Sequence, residues 1–174
     1  MKNKREEVEE IIGTREELKL GVEVEEENIQ FVIVTLADEL YAFFGHSITS
    51  IAMVRDITPI PGTADYVLGV MYHQGRVESI VDIKQILGLA GTAVTRKSRV
   101  ALAGTDEAQT GILVDTVEDV VDLPARGIFA PLHTMEAAKR EYVAGETEYQ
   151  ERNVVILDLA RIFGRVLEPG NGAF

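Results

Sequence analysis

The feature that most constrains the fold is an internal duplication. When the sequence is shifted by 76 positions, residues 66–88 align without a gap on residues 142–164, and nine of the 23 aligned pairs are identical. Upstream, residues 41–52 resemble residues 110–121 at a shift of 69, so extra residues are expected in the second copy within 125–140. The chain is therefore predicted to contain two related structural units.

The residue composition of the duplicated region predicts β-strands. From Ile29 onward, short runs rich in Val, Ile, Thr, Phe and Tyr alternate with turn-forming residues. Strands are expected at residues 29–36, 40–44, 99–103, 110–115 and 117–123. This pattern favours an all-β fold.

Each repeated block is predicted to be a hairpin. Residues 66–72 and 142–148 are expected to be strands, in which Gly69 and Gly145 permit a bulge or a close backbone approach. In the first copy Gln74 and Gly75 are expected to form the turn into the returning strand.

A short helix is predicted to follow each hairpin. Asp82 and Asp158 stand where a carboxylate caps the first helical turn. Gly88 and Gly164 stand where a left-handed residue ends the helix. These four residues are therefore interpreted as structural caps.

The simplest architecture that accounts for this pattern is two small curved sheets of about five strands each. In a chain of 174 residues with 46% hydrophobic content, neither sheet is expected to be stable alone. The folded domain is expected at residues 29–165, after an acidic, partly helical or disordered extension at 1–28 and before a flexible tail at 166–174.

Several kinds of chemistry find no support in the sequence. The absence of cysteine excludes disulfides and thiolate ligands, and a net charge of −12 argues against nucleic acid as a partner. The three histidines, at 46, 73 and 133, lie in dissimilar surroundings, and no glycine-rich phosphate loop occurs. No metal or other cofactor is expected, and no catalytic residues are identified.

Asp82 and Asp158 also raise the alternative of a paired-carboxylate hydrolase, since the duplication relates them. Neither lies in the Asp-Thr/Ser-Gly turn that aspartic proteases need, so the capping role is favoured. No apolar run approaches the length of a membrane span, and residues 1–7 lead into glutamates rather than into an apolar signal segment. The protein is therefore expected in the cytoplasm, with no insertion into the membrane.

Four segments form a characteristic series along the chain: Tyr41-Ala-Phe-Phe, Ile57-Thr-Pro-Ile-Pro-Gly, Tyr66-Val-Leu-Gly-Val, and the run from Gly75 to Leu89 that contains Val81-Asp-Ile. In these segments the sequence resembles the CheW-like family of bacterial chemotaxis. The resemblance spans about residues 29–165. It implies two SH3-like five-stranded β-barrel subdomains with short helices and no enzymatic activity. It also implies two partners: the regulatory domain of a CheA-type histidine kinase and the cytoplasmic tip of a methyl-accepting chemoreceptor.

The sequence departs from the family pattern on the surface implicated in partner contacts. The usual Asn-x-Arg-Gly turn reads Tyr72-His73-Gln74-Gly75, and Ser50 replaces the glutamate of a Val-x-Glu-Val/Ile segment. These changes either redirect partner choice or reflect drift with re-matched contacts. The residues expected to bind partners are Ile48, Ser50, Ile51, Tyr72, His73, Gln74 and Gly75.

Two functions are weighed. The first is an adaptor that couples chemoreceptors to the kinase, in chemotaxis or in a related two-component pathway. The second is a free-standing sensing module that binds a small molecule in the cleft between the subdomains.

Overall fold

The computed structural model describes residues 25–104 and 109–167. Most of the predicted extension, residues 1–24, and residues 168–174 of the predicted tail lie outside the described residues. The first strand begins at Asn28, one residue before the predicted start of the domain. The last helix ends at Val166, one residue after the predicted end, and Val166 is 2% exposed.

The described residues form eleven strands, three short α-helices and two 3-10 helices of three residues each, Gly45–Ser47 and Ala125–Gly127, as the strand-rich sequence predicts. The strands are β1 (Asn28–Leu36), β2 (Glu39–Phe44), β3 (Ile48–Met53), β4 (Ile57–Thr58), β5 (Val67–His73), β6 (Arg76–Val81), β7 (Arg99–Gly104), β8 (Gln109–Val114), β9 (Thr116–Pro124), β10 (Val143–Tyr149) and β11 (Arg152–Leu157). The helices are α1 (Ile83–Ile86), α2 (Ala137–Arg140) and α3 (Leu159–Val166).

The strands form two sheets with the same internal order. One has the order β10-β11-β2-β1-β9, and the other has the order β5-β6-β8-β7-β3 with the two-residue strand β4 added beside β5. The parallel pairs match as well, because β11 lies beside β2 as β6 lies beside β8. The duplication seen in the sequence is therefore a duplication of sheet topology.

Each sheet curls into a barrel through one bent segment. In the second sheet β3 pairs with β7, and three residues later β4 pairs with β5, so the two end strands are consecutive in the chain. In the first sheet β9 pairs with β1, and Phe129 then makes a bridge to Glu146 of β10. If the bent segment is counted once, each barrel has five strands, as expected for SH3-like subdomains.

The two copies are not two consecutive barrels. The hairpin β1–β2 of the first copy joins β9, β10 and β11 of the second copy in the first barrel. The hairpin β7–β8 of the second copy joins β3, β4, β5 and β6 of the first copy in the second barrel. Each barrel therefore contains strands from both copies of the repeat.

Glycines allow a close strand crossing at the same place in both barrels. At Gly69 the backbone has φ +136°, and a Cβ would lie 2.1 Å from the Thr58 carbonyl oxygen; at Gly145 a Cβ would lie 2.8 Å from the Phe129 carbonyl oxygen. The strand register shifts beside both glycines. The prediction of a bulge or a close backbone approach at Gly69 and Gly145 is therefore confirmed.

One core joins the two barrels. It contains side chains from both sheets and from helices α1 and α3, among them Val34, Phe43, Val81, Ile112, Leu157 and Ile162. Two smaller apolar clusters lie apart from it, one among residues of each barrel. Because the largest core is shared, the barrels stabilise one another.

Three of the four predicted caps have the expected geometry. The Asp82 carboxylate accepts the Lys84 N–H at 3.0 Å, and the Asp158 carboxylate accepts the Arg161 N–H at 3.1 Å. Gly88, with φ +68°, follows α1, and the Leu89 N–H donates to the Lys84 carbonyl as in a Schellman motif.

The prediction for Gly164 is wrong. Gly164 lies inside α3, which continues to Val166, and it is not among the residues with positive φ. The spacing of Leu159, Ile162 and Val166 places all three on the buried face of α3, and burial of Val166 holds the last turn in helical form.

Within the described ranges, no helix is both long enough and apolar enough to cross a membrane.

Candidate partner-binding site

The residues predicted to bind partners all lie on the second barrel. Ile48, Ser50 and Ile51 are on β3, whereas Tyr72 and His73 end β5. The two-residue turn Gln74–Gly75 has positive φ at both positions and joins β5 to β6, which confirms the predicted turn.

The β5–β6 hairpin exposes an apolar pair. Tyr72 lies directly opposite Val77 across the hairpin, and the two residues are 64% and 65% exposed. On β3, Ile51 is 38% and Met53 is 65% exposed. Adjacent exposed apolar side chains such as Tyr72 and Val77 are typical of a protein-binding surface.

Ile48 differs from the other predicted residues. It is partly buried and packs against the core that the two barrels share. Its packing therefore contributes to the joint between the barrels.

In each barrel a seam separates one edge strand from the repeated hairpin. The seam lies between β9 and the hairpin β10–β11 in the first barrel, and between β3 and the hairpin β5–β6 in the second. In the first barrel it is bridged, because the Tyr149 hydroxyl donates to Asp119 Oδ2 at 2.6 Å. This hydrogen bond raises the pKa of the Tyr149 phenol. In the second barrel the duplication puts His73 in the place of Tyr149 and Ser50 in the place of Asp119, and His73 Nε2 is buried without a hydrogen-bond partner.

A buried ion network lies where the two barrels meet. The side chain of Lys84 is 0% exposed, and its Nζ lies 3.3 Å from Asp82 Oδ1 and 3.1 Å from Asp115 Oδ1. Asp115 also accepts hydrogen bonds from the Ala37 N–H at 2.7 Å and from the Thr92 hydroxyl at 2.5 Å.

The network joins separate parts of the chain. Ala37 is in the β1–β2 turn of the first barrel, Lys84 is in helix α1, Thr92 is in the connection between the two copies, and Asp115 lies where the chain crosses from β8 to β9. Burial raises the pKa of Asp115, but the hydrogen bonds from Thr92 and Ala37 and the Lys84 ammonium outweigh it, so the pKa lies below its usual value.

An open cleft of about 400 Å³ lies between the barrels. The duplicated pair Tyr66 and Tyr142 lines it, together with Ile86 and Arg165. No three His, Asp or Glu side chains in the described ranges are grouped so as to hold a metal ion. Nothing in the described part of the chain indicates a particular small ligand for this cleft.

Sequence reasoning missed Met53, Val77 and the pairing of Lys84 with Asp115. Alternation along the returning strand gave no signal for Val77, because it places Val77 on the same face as Ser79 and Val81, and Val81 is buried. The partner of Lys84 gave no signal, since Asp115 is 31 positions away and reaches Lys84 through the crossing of the chain.

Together, the fold and the exposed hairpin define a class: duplicated two-barrel β-proteins with a shared core and an exposed apolar pair at one hairpin. Comparison with known proteins gives the family. Residues 30–167 match the CheW-like domain, so the chain belongs to the CheW-like domain family.

Individual relatives agree. The chain is 26% identical over 133 residues to the chemotaxis protein CheW of Klebsiella aerogenes, covering 76% of this chain and 80% of that protein. It is 26% identical over 129 residues to the chemotaxis protein CheW of Thermotoga maritima, covering 74% and 83% of the two chains. The crystal structure of the scaffolding protein TtCheW from Thermoanaerobacter tengcongensis superposes with a TM-score of 0.68 at 22% identity, covering 79% of this chain and 88% of that one. This last likeness concerns the fold.

Proposed function

We propose that the protein is a non-catalytic adaptor that couples chemoreceptors to a CheA-type histidine kinase, in chemotaxis or in a related two-component pathway. The observation that carries the proposal is the match to the CheW-like domain over residues 30–167, together with relatives named as chemotaxis proteins. The ligand-binding alternative has no comparable support.

The architecture suits an adaptor. An adaptor needs two surfaces held at a fixed relative position, and here two barrels share one core and a buried ion network. We propose that the regulatory domain of the kinase and the cytoplasmic tip of a receptor are the two partners. The exposed part of the second barrel, which contains Ile51, Tyr72 and Val77, is the surface proposed to contact one of them.

The test is a binding measurement with purified full-length protein. The regulatory domain of the kinase and a cytoplasmic receptor segment from the same organism are immobilised separately, and the dissociation constants are measured. Tyr72→Ala is expected to weaken binding to one partner by about tenfold or more, because exposed aromatic residues supply much of the energy at protein contacts. Val94→Ala, at an exposed position of the connection between the copies, is the control. Failure of the unaltered protein to bind either partner would refute the proposed function.

A further inference from the structure

We propose that the seam between β3 and β5 of the second barrel binds an acidic side chain of a partner protein, flanked by apolar residues of that partner. The inference rests on the proposed adaptor function and specifies the chemistry that the partner presents at this surface. It follows from comparing the two barrels of one chain at equivalent positions.

Strand register defines the equivalent positions. Asp119 of β9 pairs with Ile33 of β1, and Ser50 of β3 pairs with Leu102 of β7. Tyr149 lies opposite Arg152, as His73 lies opposite Arg76. The bonded pair Tyr149 and Asp119 of the first barrel therefore corresponds to His73 and Ser50 of the second barrel.

The edge strands differ in charge. β9 carries Glu118, Asp119 and Asp122, and the equivalent positions of β3 are Thr49, Ser50 and Met53. No carboxylate occurs in residues 45–55. Charged side chains on an edge strand discourage association with other chains. The edge of the second barrel lacks this protection, whereas that of the first barrel has it.

His73 lacks the partner that its counterpart has. The Tyr149 hydroxyl is satisfied by the Asp119 carboxylate, but His73 Nε2 is buried and makes no hydrogen bond. A buried unsatisfied polar atom costs on the order of 1–3 kcal/mol. The residue as a whole is partly exposed, and rotation about its Cβ–Cγ bond is soft, so Nε2 can turn outward to donate to a carboxylate at the seam.

The surroundings of the seam favour the same ligand. Arg55, Arg96 and Lys97 are exposed, and none of them forms an ion pair with another residue of the described ranges. They lie near the end of β3, since Met53 pairs with Arg99. In a chain of net charge −12, these three cations outnumber the exposed carboxylate of the neighbouring Asp56, so positive charge is in excess near the end of the strand that carries Ile51 and Met53. An acidic residue flanked by apolar residues is complementary to both features.

The test places a carboxylate at position 50 of this chain, where the partner is proposed to supply one. Ser50→Asp restores the arrangement that Asp119 makes in the first barrel, so it is expected to satisfy His73 and to repel the partner's carboxylate. Binding to whichever of the kinase regulatory domain and the receptor segment uses this surface is expected to weaken about tenfold or more. His73→Phe, which removes the hydrogen-bonding group and keeps an aromatic ring, is expected to weaken the same complex. Ala160→Asp adds one carboxylate at an exposed position of α3 and is expected to leave binding unchanged.

A spectroscopic readout accompanies the affinities. The ¹⁵N chemical shift of His73 Nε2 is expected to move when the unaltered protein binds its partner, and to move in the free Ser50→Asp variant. If the unaltered protein binds and Ser50→Asp binds equally well with no change in the His73 signal, this inference is overturned while the adaptor function stands. If the unaltered protein binds neither partner, both are overturned.

Discussion

At the scale of single residues, the most consequential group is Lys84. A fully buried ammonium is tolerated because Asp82 and Asp115 lie within 3.3 Å of its Nζ. Removing one partner of a buried ion pair leaves a charge without compensation, which costs more than the pair itself contributes. The network therefore fixes the chain where the barrels meet, since Asp115 also holds the Ala37 N–H of the β1–β2 turn.

Asp115→Asn is predicted to lower the free energy of unfolding at pH 7 by about 1–3 kcal/mol, because the charge that faces Lys84 is lost. The pKa of Asp115 is lowered in the folded state. Its contribution is therefore complete above the unfolded-state pKa of about 3.9 and is lost as the pH falls through the folded-state value. The difference between the variant and the unaltered protein should shrink below pH 4. Urea denaturation between pH 3 and pH 7 measures it.

Asp56→Asn is the matched control, since Asp56 is exposed and should change the unfolding free energy little at any pH. A deficit of Asp115→Asn that stays constant from pH 7 to pH 3 would contradict the electrostatic role of this residue.

Residues whose roles are local were predictable from the sequence. The capping aspartates, Gly88 and the Gln74–Gly75 turn act on neighbours within a few positions, and the structure bears these predictions out. Lys84 and Asp115 were not predictable, because their contact depends on how the chain crosses between barrels.

At the scale of secondary-structure elements, α1 and α3 show that two copies of one repeated segment can form helices of different length. Helix α1 ends after Ile86 with a Schellman motif at Gly88, whereas α3 continues through Gly164. The sequence pattern gave the two glycines the same role. The difference comes from tertiary packing, since Val166 is buried in the shared core, and a single repeat does not reveal that contact.

The two caps are predicted to differ in energy. Asp158→Ala removes one hydrogen bond to the Arg161 N–H and a largely exposed ion pair, so it is expected to cost about 1 kcal/mol of unfolding free energy. Asp82→Ala also removes one of the two carboxylates facing Lys84, so it is expected to cost about 2–4 kcal/mol. Chemical denaturation of both variants at pH 7 measures the difference. Asp82→Asn, which keeps the cap and removes the charge, should fall between the two, and equal losses in both alanine variants would contradict this account.

At the scale of the whole molecule, the exchange of hairpins between the two copies determines what folds together. β1–β2 completes the barrel that holds β10 and β11, and β7–β8 completes the barrel that holds β5 and β6. The sequence reveals the duplication and the number of strands. The alignment of one copy on the other, however, is equally compatible with one barrel per copy and with two barrels that exchange hairpins. The pairing of β2 with β11 decides between them, and that contact joins residues more than a hundred positions apart.

The exchanged arrangement predicts the behaviour of fragments. A cut between Ala93 and Val94 gives one piece for each copy and keeps Thr92, which contacts Asp115, on the first piece. Neither piece contains all the strands of either barrel, so each alone is expected to lack a cooperative unfolding transition and dispersed amide resonances. Mixed in equal amounts, the two pieces are expected to regain both, because each supplies the hairpin that the other lacks. Two independent barrels, one per copy, would instead give cooperative unfolding in each isolated piece and no change on mixing. Circular dichroism melts and ¹H–¹⁵N spectra of the separate and mixed pieces distinguish the two arrangements.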